Sequence, residues 1–314
     1  MCGKNQGKIV AVCRSKKKGT AKIPVDQAYL KEDWGLEDDA HAGHWHRQVS
    51  LLSKEAIDDF KKRGADVSYG DFGENLVVEG LPDLTTLPVG TRFQIGDSVL
   101  LELTQIGKSC HSHCAIYERM GECIMPKMGV FAVVKQGGAV RPGDTIRVIP
   151  ADPERAFTAA VITLSDRASA GVYEDRSGPE IGRILTENGY EVVETILLPD
   201  GKEKLKAELC RLADQRQVRV VFTTGGTGFS DRDVTPEATK EVCEREVPGI
   251  GEALRSYSMQ FTKHAMLSRQ TAGIRKHTLI VNLPGSPKAC REDLEFLLPS
   301  LSHGLWILGG TESD

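Results

Sequence analysis

Two spacings of apolar and polar residues share this chain, and they change over near residue 150. Before it, short β-rich runs are separated by Gly, Pro and Asp turn signals: GKIVAVCRS from Gly7, LVVEG from Leu76, TRFQIGDSVLLELTQIG from Thr91 and DTIRVIP from Asp144. That rhythm predicts a mainly-β barrel. One helix interrupts it, SKEAIDDFKKRG, with Ser53 as N-cap, Ile57 and Phe60 three apart on one face, and Gly64 as the stop.

Beyond IPADPER, where Pro150 and Pro153 read as a linker, strand and helix periods alternate. FTAAVITLS is a buried strand; SGPEIGRILTENG is a helix capped by Ser177 with Ile181, Ile184 and Leu185 on one face. YEVVETILL, KEKLKAELCRLADQ and VRVVFTTGG continue as strand, helix and strand. PEATKEVCERE and IGEALRSYSMQFTKHAML read as two more helices, HTLIVNLPG as a strand, and a last helix starts near Lys288. Alternation of this kind predicts an α/β domain with a mostly parallel sheet. The expected division is residues 1–150 and 151–314. Ligands of such sheets sit beyond the carboxyl ends of the strands, so chemistry is sought just after each strand.

Composition alters this picture little. A length of 314 residues exceeds what one hydrophobic core usually fills, and 40% apolar with 27% charged residues suits an ordinary globular protein. A net charge of −4 offers nucleic acid no global field, although RSKKKGTAK at 14–22 is a local basic run. No targeting or membrane segment is visible, so a cytoplasmic protein with eight reduced cysteines is expected.

Three post-strand segments of the second half carry unusual residues: LSDR at 164–167, TTGGTGFSDRDVTPEAT at 223–239 and NLPGSPK at 282–288. Gly225, Gly226 and Gly228 remove side chains where backbone must approach a ligand, and Thr224 and Thr227 add hydroxyls. Backbone N–H groups there, ahead of a helix with Thr235 as cap and Pro236 as first residue, form a concavity suited to phosphate. Asp233 follows the loop, and Asp200 in LLPDG closes another strand on the same expected edge. Acids beside a phosphate cradle suit a nucleotide with Mg²⁺, which takes few protein oxygens and several from phosphate. Metal-assisted nucleotidyl or phosphoryl transfer follows, with simple helix-dipole complements as the alternative.

TTGGTGFSDRDVTPEAT, SDRASAGVYEDRSGP, AMLSR, AGIRKHTLIVNLPGSPKA and His303 resemble the MogA/MoaB family of molybdenum cofactor biosynthesis over about 158–305. The resemblance implies transfer of AMP from Mg²⁺-ATP to molybdopterin, with release of pyrophosphate. It makes Asp233 and Asp200 the functional acids, with Asp233 on Mg²⁺. Nucleotide phosphates would lie on Thr224, Gly225, Gly226, Thr227 and Gly228, with Ser165 and Asp166 nearby, and the pterin on Pro284, Gly285 and Ser286. A trimer or hexamer is also implied.

The first half carries GKSCHSHCAIYERMGEC at 107–123, DDAHAGHWHRQVSLLS at 38–53 and GDFGENL at 70–76. Cys110, Cys114 and Cys123 with His111 and His113 form a candidate zinc set of awkward spacing. His41, His44 and His46 are a second imidazole cluster, or Asp39 and His41 brace a loop. Together with KKKGTAKIPV these stretches resemble the MOSC domain over about 6–149. That resemblance makes Cys110 a sulfur carrier or a molybdenum ligand, since a thiolate is a soft donor. No pyridoxal-phosphate lysine domain is expected ahead of it, so sulfur would come from a cysteine desulfurase, and a molybdenum insertase is a further expected partner. The non-catalytic alternative is a molybdopterin carrier or scaffold.

Overall fold

In the first half, residues alternate between two apolar environments, and that alternation builds a barrel. Its strands are β1 (Gln6–Arg14), β2 (Ile23–Val25), β3 (Ala28–Lys31), β4 (Gly35–Leu36), β5 (Val49–Ser53), β6 (Leu76–Glu79), β7 (Arg92–Ile95), β8 (Val99–Ile106), β9 (Val130–Gln136), β10 (Gly138–Val140) and β11 (Thr145–Ile149). They belong to a computed structural model that describes residues 5–108, 115–152 and 155–309. The chain divides into two units, Met1–Arg155 and Ala156–Asp314. In the first, strand order β11-β7-β8-β9-β5-β6-β1-β2 with an added β11–β1 pairing closes seven strands on themselves. All these pairings are antiparallel except β5 with β6. The remaining β10, β3 and β4 form a small second sheet.

Leu51, Leu76 and Val78 point into the barrel with Phe93, Leu101 and Val130. Their strand neighbours Leu52 and Val77 point outward, beneath Ile57 and Phe60 of α1 (Lys54–Lys62). Ser53 Oγ accepts from Ala56 N–H at 3.2 Å, which caps α1 as the sequence predicts. Short helices α2 (Ala115–Met120) and α3 (Met125–Met128) complete that outer layer. The long apolar run from Thr91 is two strands, because Gly96 at φ +53° turns the chain between β7 and β8.

The second unit contains β12 (Thr158–Leu164), α4 (Asp166–Ser169), α5 (Ser177–Glu187), β13 (Glu191–Leu198), α6 (Lys202–Asp214), β14 (Val220–Thr224), α7 (Thr235–Val242), β15 (Arg245–Glu246), α8 (Pro248–Ser258), β16 (Ala272–Arg275), β17 (Thr278–Leu283) and α9 (Pro287–Leu308). The sheet runs β13-β12-β14-β17-β16-β15. Its first four strands are parallel, and β16 and β15 form an antiparallel edge. One face packs Val161, Phe222 and Val281 against α5, α8 and α9; the other packs Ile162, Val221 and Ile280 against α6 and α7.

Three local expectations are corrected. Ser177 is the first helical residue of α5 rather than its cap: Asp175 Oδ1 accepts from the Ser177 and Gly178 N–H groups at 2.9 and 3.1 Å, and the Ser177 hydroxyl donates to Gly285 O instead. Thr235 likewise starts α7, and its hydroxyl turns back to Gly225 O at 2.9 Å. The helix expected to run to Leu267 ends at Ser258, because Thr262 Oγ1 accepts from His264 N–H and starts a separate 3-10 turn over Lys263–Leu267.

Candidate functional site

Because β12, β14, β17 and β13 are parallel, their following segments emerge on one edge. After β14 the chain turns through Gly225 at φ +92° and Gly226 at φ +65°. A Cβ on Gly225 would stand 2.4 Å from Leu164 O, and one on Gly226 2.4 Å from Thr235 Oγ1. Only glycine fits both the left-handed backbone and the close approach. Arg269 holds the next stretch: its Nε donates to Gly228 O at 2.6 Å, and its guanidinium also donates to Asp233 O and Glu237 Oε1.

The acids meet around this loop. Asp166 N–H donates to Asp200 Oδ2 at 3.3 Å while Asp200 N–H donates to Asp166 Oδ1 at 3.0 Å. The Arg232 guanidinium pairs with Asp166 Oδ2 at 3.1 Å, and Asp233 Oδ2 accepts from Ser230 N–H at 2.9 Å. Burial raises the Asp200 carboxyl above its ordinary range, and the charges of Asp166 and Asp233 add to that. An arriving cation would relieve this repulsion. Among the described residues no three His, Cys, Asp or Glu side chains are grouped as a metal cage by themselves. An ion that draws most of its ligands from phosphate and water fits such a set, and Mg²⁺ is such an ion.

The other expected residues take varied places. Ser165 caps α4, accepting from Ala168 N–H at 3.1 Å, and lies 2.8 Å from the Tyr173 hydroxyl. Thr224 is fully buried, with its hydroxyl donating to Pro284 O, and Thr227 is buried too. Gly285 O accepts from Ser177 Oγ at 2.9 Å, and Ser286 caps α9 through Ala289 N–H at 3.1 Å. Thr224, Gly225, Ser165 and Gly285 line a cavity of about 350 Å³ together with Thr163 and Tyr173–Ser177. Thr163, Tyr173 and Asp175 were not foreseen. Thr163 hides in a continuously buried strand, whereas Tyr173 and Asp175 belong to SDRASAGVYEDRSGP, a stretch marked by its resemblance as a whole with no role given to either residue.

In the barrel, the polar motif residues bond mostly to one another. Lys22 Nζ lies 2.7 and 2.6 Å from Asp39 Oδ1 and Oδ2, both side chains 1% exposed. Asp39 also accepts from the Ser15 and His41 N–H groups at 3.0 Å each, so it braces the loop. Burial works against the Asp39 charge, yet the contacts from His41 and Lys22 hold the carboxyl well below the usual range. The three histidines do not converge: His44 Nδ1 meets Asp33 at 3.0 Å and His46 Nε2 meets Gln105 at 2.9 Å. Glu74 is fully buried, accepts from Gly70 N–H at 2.6 Å, and is pushed up to about 7 by burial. Cys110, Cys114, His111 and His113 lie outside the described residues.

Comparison with known proteins gives the second unit a context. A family model described as a probable molybdopterin binding domain matches residues 160–303, and a MOSC domain model matches 38–147. Molybdopterin adenylyltransferase of Helicobacter pylori strain J99 is 46% identical over 157 residues, covering 48% of this chain and 86% of that protein. The protein of the same name from Escherichia coli K12 is 47% identical over 138 residues, covering 43% and 70%. The molybdopterin biosynthesis enzyme MoaB of Thermus thermophilus aligns in structure with 41% identity and a TM-score of 0.48, over 50% of this chain and 99% of that one.

Proposed function

Since the chain belongs to the molybdopterin adenylyltransferase family and carries a MOSC domain ahead of that unit, we propose that residues 156–314 transfer AMP from Mg²⁺-ATP to the phosphate of molybdopterin. A phosphate oxygen of molybdopterin attacks the α-phosphorus, the bond from that phosphorus to the oxygen bridging to the β-phosphate breaks, and pyrophosphate leaves with the electron pair. Such a displacement needs positioning and charge neutralisation rather than a protein nucleophile. The observation that carries this reading is the convergence of Asp166, Asp200 and Asp233 beside the Gly225–Gly226 turn at one strand edge.

In this reading Asp233 would hold Mg²⁺, which when bound neutralises the phosphate charge, and Asp200 is the second functional acid on the same strand edge. The N–H groups of 225–228 take nucleotide phosphates, and Arg269 keeps that loop in shape. The pterin lies in the cavity beside Gly285 and Ser286. Pyrophosphate release that requires both ATP and molybdopterin, and disappears in Asp233→Ala, is the expected result. Binding of molybdopterin without turnover would replace the enzyme by a carrier.

The amino-terminal unit, in the same proposal, binds or sulfurates the finished cofactor through Cys110, with a cysteine desulfurase or a molybdenum insertase as partner. Molybdenum retained by the wild-type chain and lost in Cys110→Ser supports this; stoichiometric zinc instead overturns it. The exposed Phe261, Met266 and Leu267 give the second unit an apolar surface of the kind a homo-oligomer covers. No helix among the described residues is long and apolar enough to cross a membrane.

A further inference from the structure

The AMLSR stretch ends in Arg269, whose bonds span the loop after β14. Its N–H donates to Thr227 O at 2.9 Å, its Nε to Gly228 O at 2.6 Å, and its guanidinium to Asp233 O and Glu237 Oε1. One residue therefore ties both ends of the 227–233 loop. An arginine side chain carries much rotamer freedom, so such a strap holds its loop in place when its own backbone is fixed.

Gln270, 3% exposed, supplies that fixing. Its O accepts from Arg255 Nη1 at 2.6 Å, its Oε1 accepts from Ser268 Oγ at 2.8 Å, and its Nε2 donates to Asp293 Oδ2 at 3.3 Å. A Cβ on Gly251 would stand 2.7 Å from Gln270 O, so α8 lies directly against this segment. Asp293 on α9 is fully buried, and its Oδ1 accepts from Ser258 Oγ at 2.7 Å, at the end of α8. Burying a carboxyl is costly, and burial pushes this one up to about 6. An apolar side chain would pack between the helices at no such cost. What the carboxyl adds is two acceptors, one of them on the residue next to Arg269.

We propose that Asp293 is a positioning residue for AMP transfer: by holding Gln270 it fixes the backbone from which Arg269 spans the 227–233 loop, and so sets the place of Asp233. It acts through Arg269 rather than on the reacting atoms. A carboxylate suits the task because Ser258 Oγ and Gln270 Nε2 both donate to it. A strap displaced by about 1 Å would carry the loop with it, and misplacements of that size are costly at a reacting centre. This deepens the adenylyltransferase reading and rests on it for the reaction that the loop serves.

The test uses the full chain and two readouts: steady-state AMP transfer, and amide hydrogen exchange over residues 227–235 without ligand. Asp293→Ala is expected to lower kcat about 10-fold with KM for molybdopterin unchanged, and to speed that exchange about 10-fold. Arg269→Ala should lower kcat about 100-fold, and the double variant should be no slower than Arg269→Ala, since the strap is then already gone. Asp293→Asn should stay within about threefold of wild type, because its amide oxygen still accepts from Gln270 while its amide nitrogen donates to Ser258 Oγ. Gln270→Met breaks the same link from the other side, should match Asp293→Ala, and carries the test if that variant does not fold. A merely structural role of α9, which begins beside the cavity at Pro287, would raise KM for molybdopterin and lower the urea midpoint without coupling to Arg269. Effects of Asp293→Ala and Arg269→Ala on kcat that multiply overturn the proposal, as does unchanged exchange over 227–235 in Asp293→Ala and Gln270→Met. If the exchange responds as expected but wild type transfers no AMP, the adenylyltransferase reading falls and the positioning of the loop by Asp293 stands.

Discussion

The two units spend their polar residues in opposite ways. In the barrel, Lys22, Asp39, Ser50 and Asn75 are buried and bonded across the fold, Ser50 Oγ to Asn75 Oδ1 at 3.0 Å among others, while Glu74 keeps one buried oxygen, Oε2, without a partner among the described residues. On the strand edge of the second unit, Asp166, Asp200 and Asp233 crowd like charges together and Thr163 keeps an unpaired hydroxyl. A motif can therefore mark either a scaffold or a site. What separates the two is whether charges meet opposite partners, as Lys22 and Asp39 do, or like ones, as Asp200 does beside Asp166 and Asp233.

That contrast is tested most severely by one substitution in each unit. Asp39→Ala would strand the Lys22 ammonium at 1% exposure, so the amino-terminal unit should lose about 3–5 kcal/mol in urea unfolding, followed by Trp34 and Trp45 fluorescence, while AMP transfer is unchanged. Asp233→Ala should do the reverse, cutting AMP transfer by roughly 10²–10³-fold with little shift in the unfolding midpoint. If Asp39→Ala unfolds at the wild-type midpoint, the barrel pair is not the brace described above.

Glu74 sharpens the comparison through pH. Its folded carboxyl is raised from 4.5 to about 7, mainly by burial, so the folded state binds the proton more tightly than the unfolded state does. Its contribution to stability is then full below pH 4.5 and is lost as pH rises through about 7, a change of roughly 3 kcal/mol. Asp39 acts with the opposite sign, its contribution being present above its unfolded value and lost on acidification. Urea midpoints of wild type and Glu74→Gln should converge at pH 5 and separate at pH 8, with the variant the more stable. Midpoints that stay parallel across that range would refute the burial argument.

The smallest effect is expected next door to the largest. Asp38, beside Asp39 in sequence, pairs with Arg14 at 2.9 Å but its side chain is 70% exposed. Asp38→Asn should change stability by less than about 1 kcal/mol, because water and salt screen such a pair. A loss comparable to that of Asp39→Ala would show that burial is not what separates these two neighbours.

Sequence periodicity reached most of the architecture, because strand alternation and helical spacing are local properties. The Ser53 cap, the Ile57–Phe60 face of α1 and the parallel strands around VITL, VVFTT and LIVNL were legible for that reason. Element ends were less so. Whether Ser177 or Asp175 caps α5, and whether Thr235 caps α7 or ties back to Gly225, depends on partners that only folding brings within reach.

By itself the sequence determined the two classes of unit, the glycine turn at 225–226 and the acids that follow strands, since each depends on backbone conformation or on residue order. Tertiary structure alone decided how Asp166, Asp200 and Asp233 bond and crowd one another on that edge, that the barrel histidines take separate partners, and that Thr163 opens onto a cavity without a hydrogen bond. The physical reason is distance: burial, charge proximity and unpaired bonding capacity are properties of neighbours in space, and residues 166, 200 and 233 become neighbours only when parallel strands carry their loops to the same side of the sheet.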